Sequence, residues 1–171
     1  MSGSAWRKDV LATPLGELIV IQDDDGVARA MEWAACAGRL ARHLHRHHQN
    51  RRLCDGDGGG ALLETLARYF DGAVDAIDAL ELRPAGTPFQ QQVWAALRDI
   101  PCGTTQTYGA LARRFDPPTA PRAVGAANGA NPISVALPCH RLVAHDGRLT
   151  GYAGGLARKG WLLRHERRGE P

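Results

Sequence analysis

The sequence predicts an α+β protein in two parts: a small N-terminal α/β unit with an antiparallel sheet, over residues 1–84, and a mainly helical C-terminal domain with a helix-turn-helix, over residues 85–171. Three observations carry this. Two β-type runs flank an Asp-Gly turn in "ELIVIQDDDGVARAMEW", which is a hairpin signal. Pro84 and Gly86 close that half of the chain, and helical apolar spacing dominates the remainder. Two short helical segments then sit either side of "DPPTA", the pattern of two helices joined by a tight turn. A chain of 171 residues, 44% apolar and 23% charged, has ordinary globular composition and length for one domain with a good core or two small ones.

The opening "MSGSAWRKDVLATP" lacks the apolar centre of a secretory signal, and no apolar run approaches the roughly 20 residues that span a bilayer. A cytoplasmic protein with no membrane partner is expected. After the hairpin, "ACAGRLARHLHRHHQN" has helical spacing and a basic, His-rich surface. "RRLCDGDGGG" reads as a flexible loop, "ALLETLARYFDG" as a short amphipathic helix ended by Gly72, and "AIDALELRP" as one more strand.

In the second half, "TPFQQQVWAALRDI" places Thr87 as N-cap, Pro88 at the first helical position, and Phe89, Val93, Trp94, Leu97 and Ile100 on one stripe. "PCGTTQ" breaks that helix, "TYGALARRF" starts a short one, and "APRAVGAANGAN" makes another crowded with alanine and glycine. Its smallness suits either tight helix packing or close approach to a large object. If that object is DNA, Arg122 and Asn128 are its polar contacts, and binding is read through shape more than bases. "PISVALPCHRLV" is a buried strand-like or irregular segment, and "LARKGWLLRHERR" closes the chain as an amphipathic helix.

Net charge is +3 with a pI near 8.9, which permits a polyanionic partner without requiring one. Cysteines 36, 54, 102 and 139 form no CxxC pair, so reduced thiols fit better than a disulfide framework. The cluster "RHLHRHHQN" has no recognised zinc spacing and reads as a solvated basic helix face, with a metal site or a nucleic-acid contact as alternatives.

"ALPCHRLVAHDG" sets Cys139 beside His140 in an apolar segment. A thiol becomes a strong nucleophile only as thiolate, and needs a neighbouring base or cation to become one. Adjacent residues of an extended segment point in opposite directions, so Cys139 and His140 require a bend or a bridging water to share a proton. Glu166 and Glu170 of the closing helix are candidate acids to orient the histidine, and Glu166 fits the helical pattern better. Simple burial of a small residue accounts for Cys139 as well, and residue-level reading leaves both open.

The run from Gly86 to Glu166, with "PCHR", "GYAGG" and "RK..LL..E" in order, resembles the C-terminal domain of the O6-alkylguanine-DNA alkyltransferases, also called methylated-DNA–protein-cysteine methyltransferases. The resemblance implies DNA repair by direct reversal: an irreversible, single-turnover transfer of a methyl or larger alkyl group from guanine O6 in duplex DNA to Cys139, with thymine O4 left open as a second donor. It implies His140 as base and Glu166 as the acid that orients it. Asn131 would brace the bend before the site. Tyr108 would crowd the target phosphate and donate a proton to the leaving guanine. Arg122 would fill the place of the flipped base, with Ala123, Gly125 and Asn128 on the DNA-facing helix. Leu142, Tyr152, Ala153 and Gly154 would wall the base pocket. No cofactor is implied, because the damaged base is the alkyl donor. The partner is double-stranded DNA carrying alkylated guanine, and the protein is expected to be a monomer, with cooperative loading on DNA left open. Cys102 and Thr104 stand where many relatives have tyrosine and glutamate, and Ala153 where some have serine.

Overall fold

The longest strand is one that the N-terminal sequence does not announce. β1 runs from Ala5 to Thr13, and its apolar alternation is masked by the buried Asp9. That carboxylate accepts from Gln22 Nε2 at 2.8 Å and from the Gly58 amide at 2.9 Å, so the strand buries an acid that is fully engaged. β2 (Gly16–Gln22) and β3 (Ala28–Trp33) form the expected hairpin with an antiparallel register. β1 pairs antiparallel with β2, and the sheet order is β3-β2-β1-β4, with β4 (Arg52–Asp55) at the edge.

The computed structural model describes residues 5–168, so Glu170, the alternative acid partner, lies outside the described residues. Two compact units are present. The first comprises the chain to Gly86 together with Pro132–Ala136, and the second comprises Thr87–Asn131 with the chain from Leu137 on. A division at residues 84 and 85 omits that five-residue excursion. Its physical basis is β-type pairing: the Met31 amide donates to Pro132 O at 2.9 Å and the Ser134 amide to Met31 O at 2.8 Å. Ser134 Oγ also bonds Glu32 Oε1 at 3.2 Å.

In the first unit α1 (Ala37–His47) packs Leu40 against Trp6, Ile19, Ile21 and Ala30. Two expectations change here. Residues expected as a loop form β4 (Arg52–Asp55), which adds to β1 in parallel. All four of its residues are exposed, so no burial pattern marked it. Of the strand expected in "AIDALELRP", the first residues belong to a 3-10 turn, Val74–Ala79, that buries Val74 and Ile77, and β-type pairing is limited to a parallel bridge of Leu82 with Ala28, where the Arg83 amide donates to Ala28 O at 2.9 Å. α2 (Ala61–Phe70) precedes that turn and ends, as expected, before Gly72.

The second unit is mainly helical. α3 (Pro88–Arg98) begins with a full capping box between Thr87 and Gln90. A two-residue strand β5 (Gln106–Thr107) leads into α4 (Tyr108–Ala112), and α5 (Pro121–Gly129) completes the helix pair. Trp94 Nε1 of α3 donates to Ala127 O of α5 at 2.9 Å. That approach requires the small residues of α5, since a bulky chain at Ala127 would separate the helices. β6 (Leu142–Val143) pairs parallel with β5, and α6 (Leu156–Arg168) ends the described chain. Among the described residues no helix is long and apolar enough to cross a membrane.

Candidate active site

Pro138 (φ −80°, ψ 61°) turns the chain into a 3-10 turn over Cys139, His140 and Arg141. Successive side chains of such a turn lie about 120° apart, which replaces the opposed orientation of an extended segment. The turn is held from both sides. Asn131 Nδ2 donates to Leu137 O at 2.8 Å, and Asn128 Nδ2 donates to Cys139 O at 3.5 Å. Cys139 is 6% exposed, His140 0% and Arg141 1%, so the whole turn is shielded from bulk solvent.

His140 Nε2 lies 2.7 Å from Glu166 Oε1, with both side chains fully buried. The carboxylate accepts, so Nε2 carries the proton and Nδ1 is left as the basic nitrogen. Nδ1 is buried with no hydrogen-bond partner. Arg141 grips the same carboxylate twice, Nε to Oε2 at 2.9 Å and Nη2 to Oε1 at 3.0 Å, while its Nη1 donates to Ile100 O at 2.6 Å. Burial pushes the Glu166 carboxyl up, but the charges and hydrogen bonds of His140 and Arg141 outweigh it and hold the group well below the usual carboxylate range. Glu166 is therefore a permanent anion facing the imidazole.

Lys159 is a second buried charge. The stripe Lys159, Leu162, Leu163 and Glu166 forms the buried face of α6, placing lysine and glutamate two turns apart on one side. Lys159 Nζ donates to Thr150 O at 2.6 Å and lies 5.9 Å from the centre of the Tyr108 ring. Burial lowers its pKa to about 8, against a pull upward from the charge on Cys139. The Tyr108 hydroxyl donates to the same Thr150 carbonyl at 3.3 Å, and burial raises its pKa. The Thr150 carbonyl thus joins both groups on one wall.

That wall opens on a cleft of about 670 Å³ bordered by Tyr108, Gly125, Gly129, Gly151, Tyr152 and Ala153. Gly151 adopts φ 58°, a left-handed conformation that favours glycine, beside the Tyr108 hydroxyl. Ala153 is exposed, and Gly154 is buried with its carbonyl accepting from Arg158 at 2.9 Å. Arg122 is the second residue of α5 and is exposed, while Ala123 and Gly125 are half-buried beside it.

Asn128, expected to meet DNA, is 4% exposed and braces the Cys139 carbonyl. Leu142, expected to face the base through its backbone carbonyl, is fully buried in β6 and paired with Gln106. Residue-level reading missed Arg141 and Lys159 as members of the site. The signal for Lys159 was present: a charged residue seven positions before Glu166, on the apolar stripe of the same helix. Among the described residues no group of three His, Cys, Asp or Glu side chains is placed to hold a metal ion.

The sequence profile of the 6-O-methylguanine DNA methyltransferase DNA-binding domain matches residues 88–168. The chain is 49% identical over 161 residues to the methylated-DNA–protein-cysteine methyltransferase of Salmonella typhimurium, covering 93% of this chain and 94% of that one. Its fold is similar to the crystal structure of Mycobacterium tuberculosis O6-methylguanine methyltransferase, with TM-score 0.75, 34% identity and coverage of 97% and 95%. A Mycobacterium tuberculosis OGT solved in complex with DNA is similar at TM-score 0.73 and 31% identity, covering 96% of this chain and 95% of that one.

Proposed function

This chain belongs to the methylated-DNA–protein-cysteine methyltransferase family, and we propose that it repairs duplex DNA by taking the alkyl group of O6-alkylguanine onto Sγ of Cys139. The observation that carries the assignment of residues is the orphaned Nδ1 of His140, opposite a nitrogen locked on Glu166.

The thiol proton of Cys139 is relayed to Nδ1, and the imidazolium that forms is stabilised by the Glu166 anion. The thiolate attacks the alkyl carbon in line; an S–C bond forms, the C–O6 bond breaks, and its electron pair leaves with the guanine. The leaving base takes up one proton, for which the Tyr108 hydroxyl is the donor on the pocket wall. Lys159 adds positive charge near the thiolate, which favours the ionised nucleophile. The thioether product does not hydrolyse under mild conditions, so each molecule acts once, and no cofactor takes part.

A stacked guanine cannot present its O6 to a buried thiol, so the base must leave the helix. Exposed Arg122 on the slim α5 is the side chain to occupy the vacated place, and the cleft beside Tyr108, Tyr152 and Ala153 receives the base. The second unit is the DNA-binding and acceptor domain, and the protein acts as a cytoplasmic monomer. Incubation with a duplex oligonucleotide containing O6-methylguanine, followed by peptide mass spectrometry, tests this: one methyl on Cys139 is expected, and an unmodified Cys139 overturns it.

A further inference from the structure

Between Trp33 and Cys54 the chain carries five arginines, four histidines and no acidic residue. The alkyl-transfer chemistry uses none of them. In the N-terminal unit the end of this run borders an open cleft of about 550 Å³, walled by Arg29, His47, His48, Asn50 and Arg51 over Trp6, with no carboxylate in its lining.

The cleft is built, not merely charged. Trp6 is 3% exposed, so its ring serves as a brace: Arg29 Cζ lies 4.9 Å and Arg51 Cζ 5.3 Å from its centre, and His48 meets it edge-on at 4.6 Å. Cation–π contact holds the two guanidiniums while leaving their N–H groups to bind elsewhere. Arg29 Nε and His48 Nε2 are buried with no hydrogen-bond partner. Arg29 pairs with Asp23 at 3.5 Å, but Arg83 holds that acid at 3.3 Å as well. Arg83 is itself held by Asp25 at 3.0 Å and Glu81 at 2.8 Å, so Asp23 is the carboxylate left to Arg29. The pKa of His48 falls to about 4, through burial first and then the positive charges of Arg29, His47 and Arg51. The lining of the cleft itself carries Arg29 and Arg51 and is cationic.

We propose that this cleft is a phosphate-binding site through which the N-terminal unit holds the backbone of DNA, independently of sequence. Planar guanidiniums match phosphate oxygens two at a time, and the histidine and asparagine side chains supply further donors. Exposed Arg42, Arg46 and Arg52 extend the cationic surface beyond the cleft, as a polymer of phosphates requires and a single small anion does not. The inference rests on the reading that this protein acts on DNA.

The test is the binding of undamaged duplex DNA to the full chain, by fluorescence anisotropy across a salt series. Arg51 is exposed, so Arg51→Ala should leave the fold intact, as circular dichroism checks. Each phosphate contact contributes close to one unit to the slope of log affinity against log salt. Arg51→Ala is expected to weaken binding several-fold and to flatten that slope by about one unit, with Arg51→Lys retaining most of both. Arg68→Ala removes the same charge from an exposed position on α2, outside the lining of the cleft, and should leave the slope unchanged. Equal affinity and slope in Arg51→Ala, or an equal loss in Arg68→Ala, overturns the proposal. Methyl transfer to Cys139 by the unaltered protein at saturating DNA tests the parent reading separately.

Discussion

Histidines with a buried, unpartnered ring nitrogen occur in both units, and they have been put to opposite uses. His140 has a carboxylate on its other nitrogen, 2.7 Å away, and that carboxylate is itself gripped by Arg141. His43 and His48 lie among Arg29, Arg39, Arg46 and Arg51, and both are pushed down to about 4, by burial first and by those cations after it. An acid partner fixes the proton on one nitrogen and stabilises the charged ring, which makes a base. A ring of cations keeps the imidazole neutral, which makes part of a positive surface. The partner, not the histidine, decides the role.

Removing the acid should break this contrast most. Glu166→Gln leaves His140 without an anion and frees its tautomer, and single-turnover transfer should fall about 10²–10⁴-fold. A rate within a few-fold of the parent would remove His140 and Glu166 from the mechanism.

Arg141→Met leaves Glu166 buried and half-paired. Removing one partner of a buried ion pair costs about 3–5 kcal/mol, measured as a lower denaturant midpoint. Arg141→Lys should recover little, since an ammonium cannot make the two-pronged contact.

Lys159 sharpens the comparison through pH. Its pKa of about 8 means that it loses its charge as pH rises through that value, so transfer should decline there. In Lys159→Arg the decline should move to higher pH, because arginine stays charged; an unmoved decline assigns it to another group.

The smallest effect concerns His43 and His48. Both have folded pKa values below the ordinary 6.5, so between about 6.5 and 4 the unfolded chain binds more protons than the folded one. Stability should therefore be lost as pH falls through that window. His48→Gln should lessen the loss, as thermal unfolding at a series of pH values would record.

Much of the fold was legible because it depends on neighbours in the chain. The hairpin at the Asp-Gly turn, the Thr87 capping box and the apolar stripes of α2, α3 and α6 are local patterns, and each forms where the spacing puts it. β1 and β4 were missed for complementary reasons. Asp9 breaks the apolar alternation of β1 yet is satisfied by Gln22 and Gly58, while β4 has no buried face and exists by pairing with an edge. Asn128 was misread because a helix composition does not say which side will face the protein.

The sequence by itself determined the reagents: a cysteine beside a histidine, a glutamate on a helical stripe, and an arginine opening a helix of small residues. Only the tertiary structure decided which of these meet and what each is worth. The turn after Pro138 buries Cys139 and His140, α6 brings Glu166 and Lys159 to one face, and Arg141 completes the carboxylate's partners. The reason is physical. A residue's type sets its possible protonation states, but burial and the charges within a few ångströms choose among them, and those neighbours are distant in the chain.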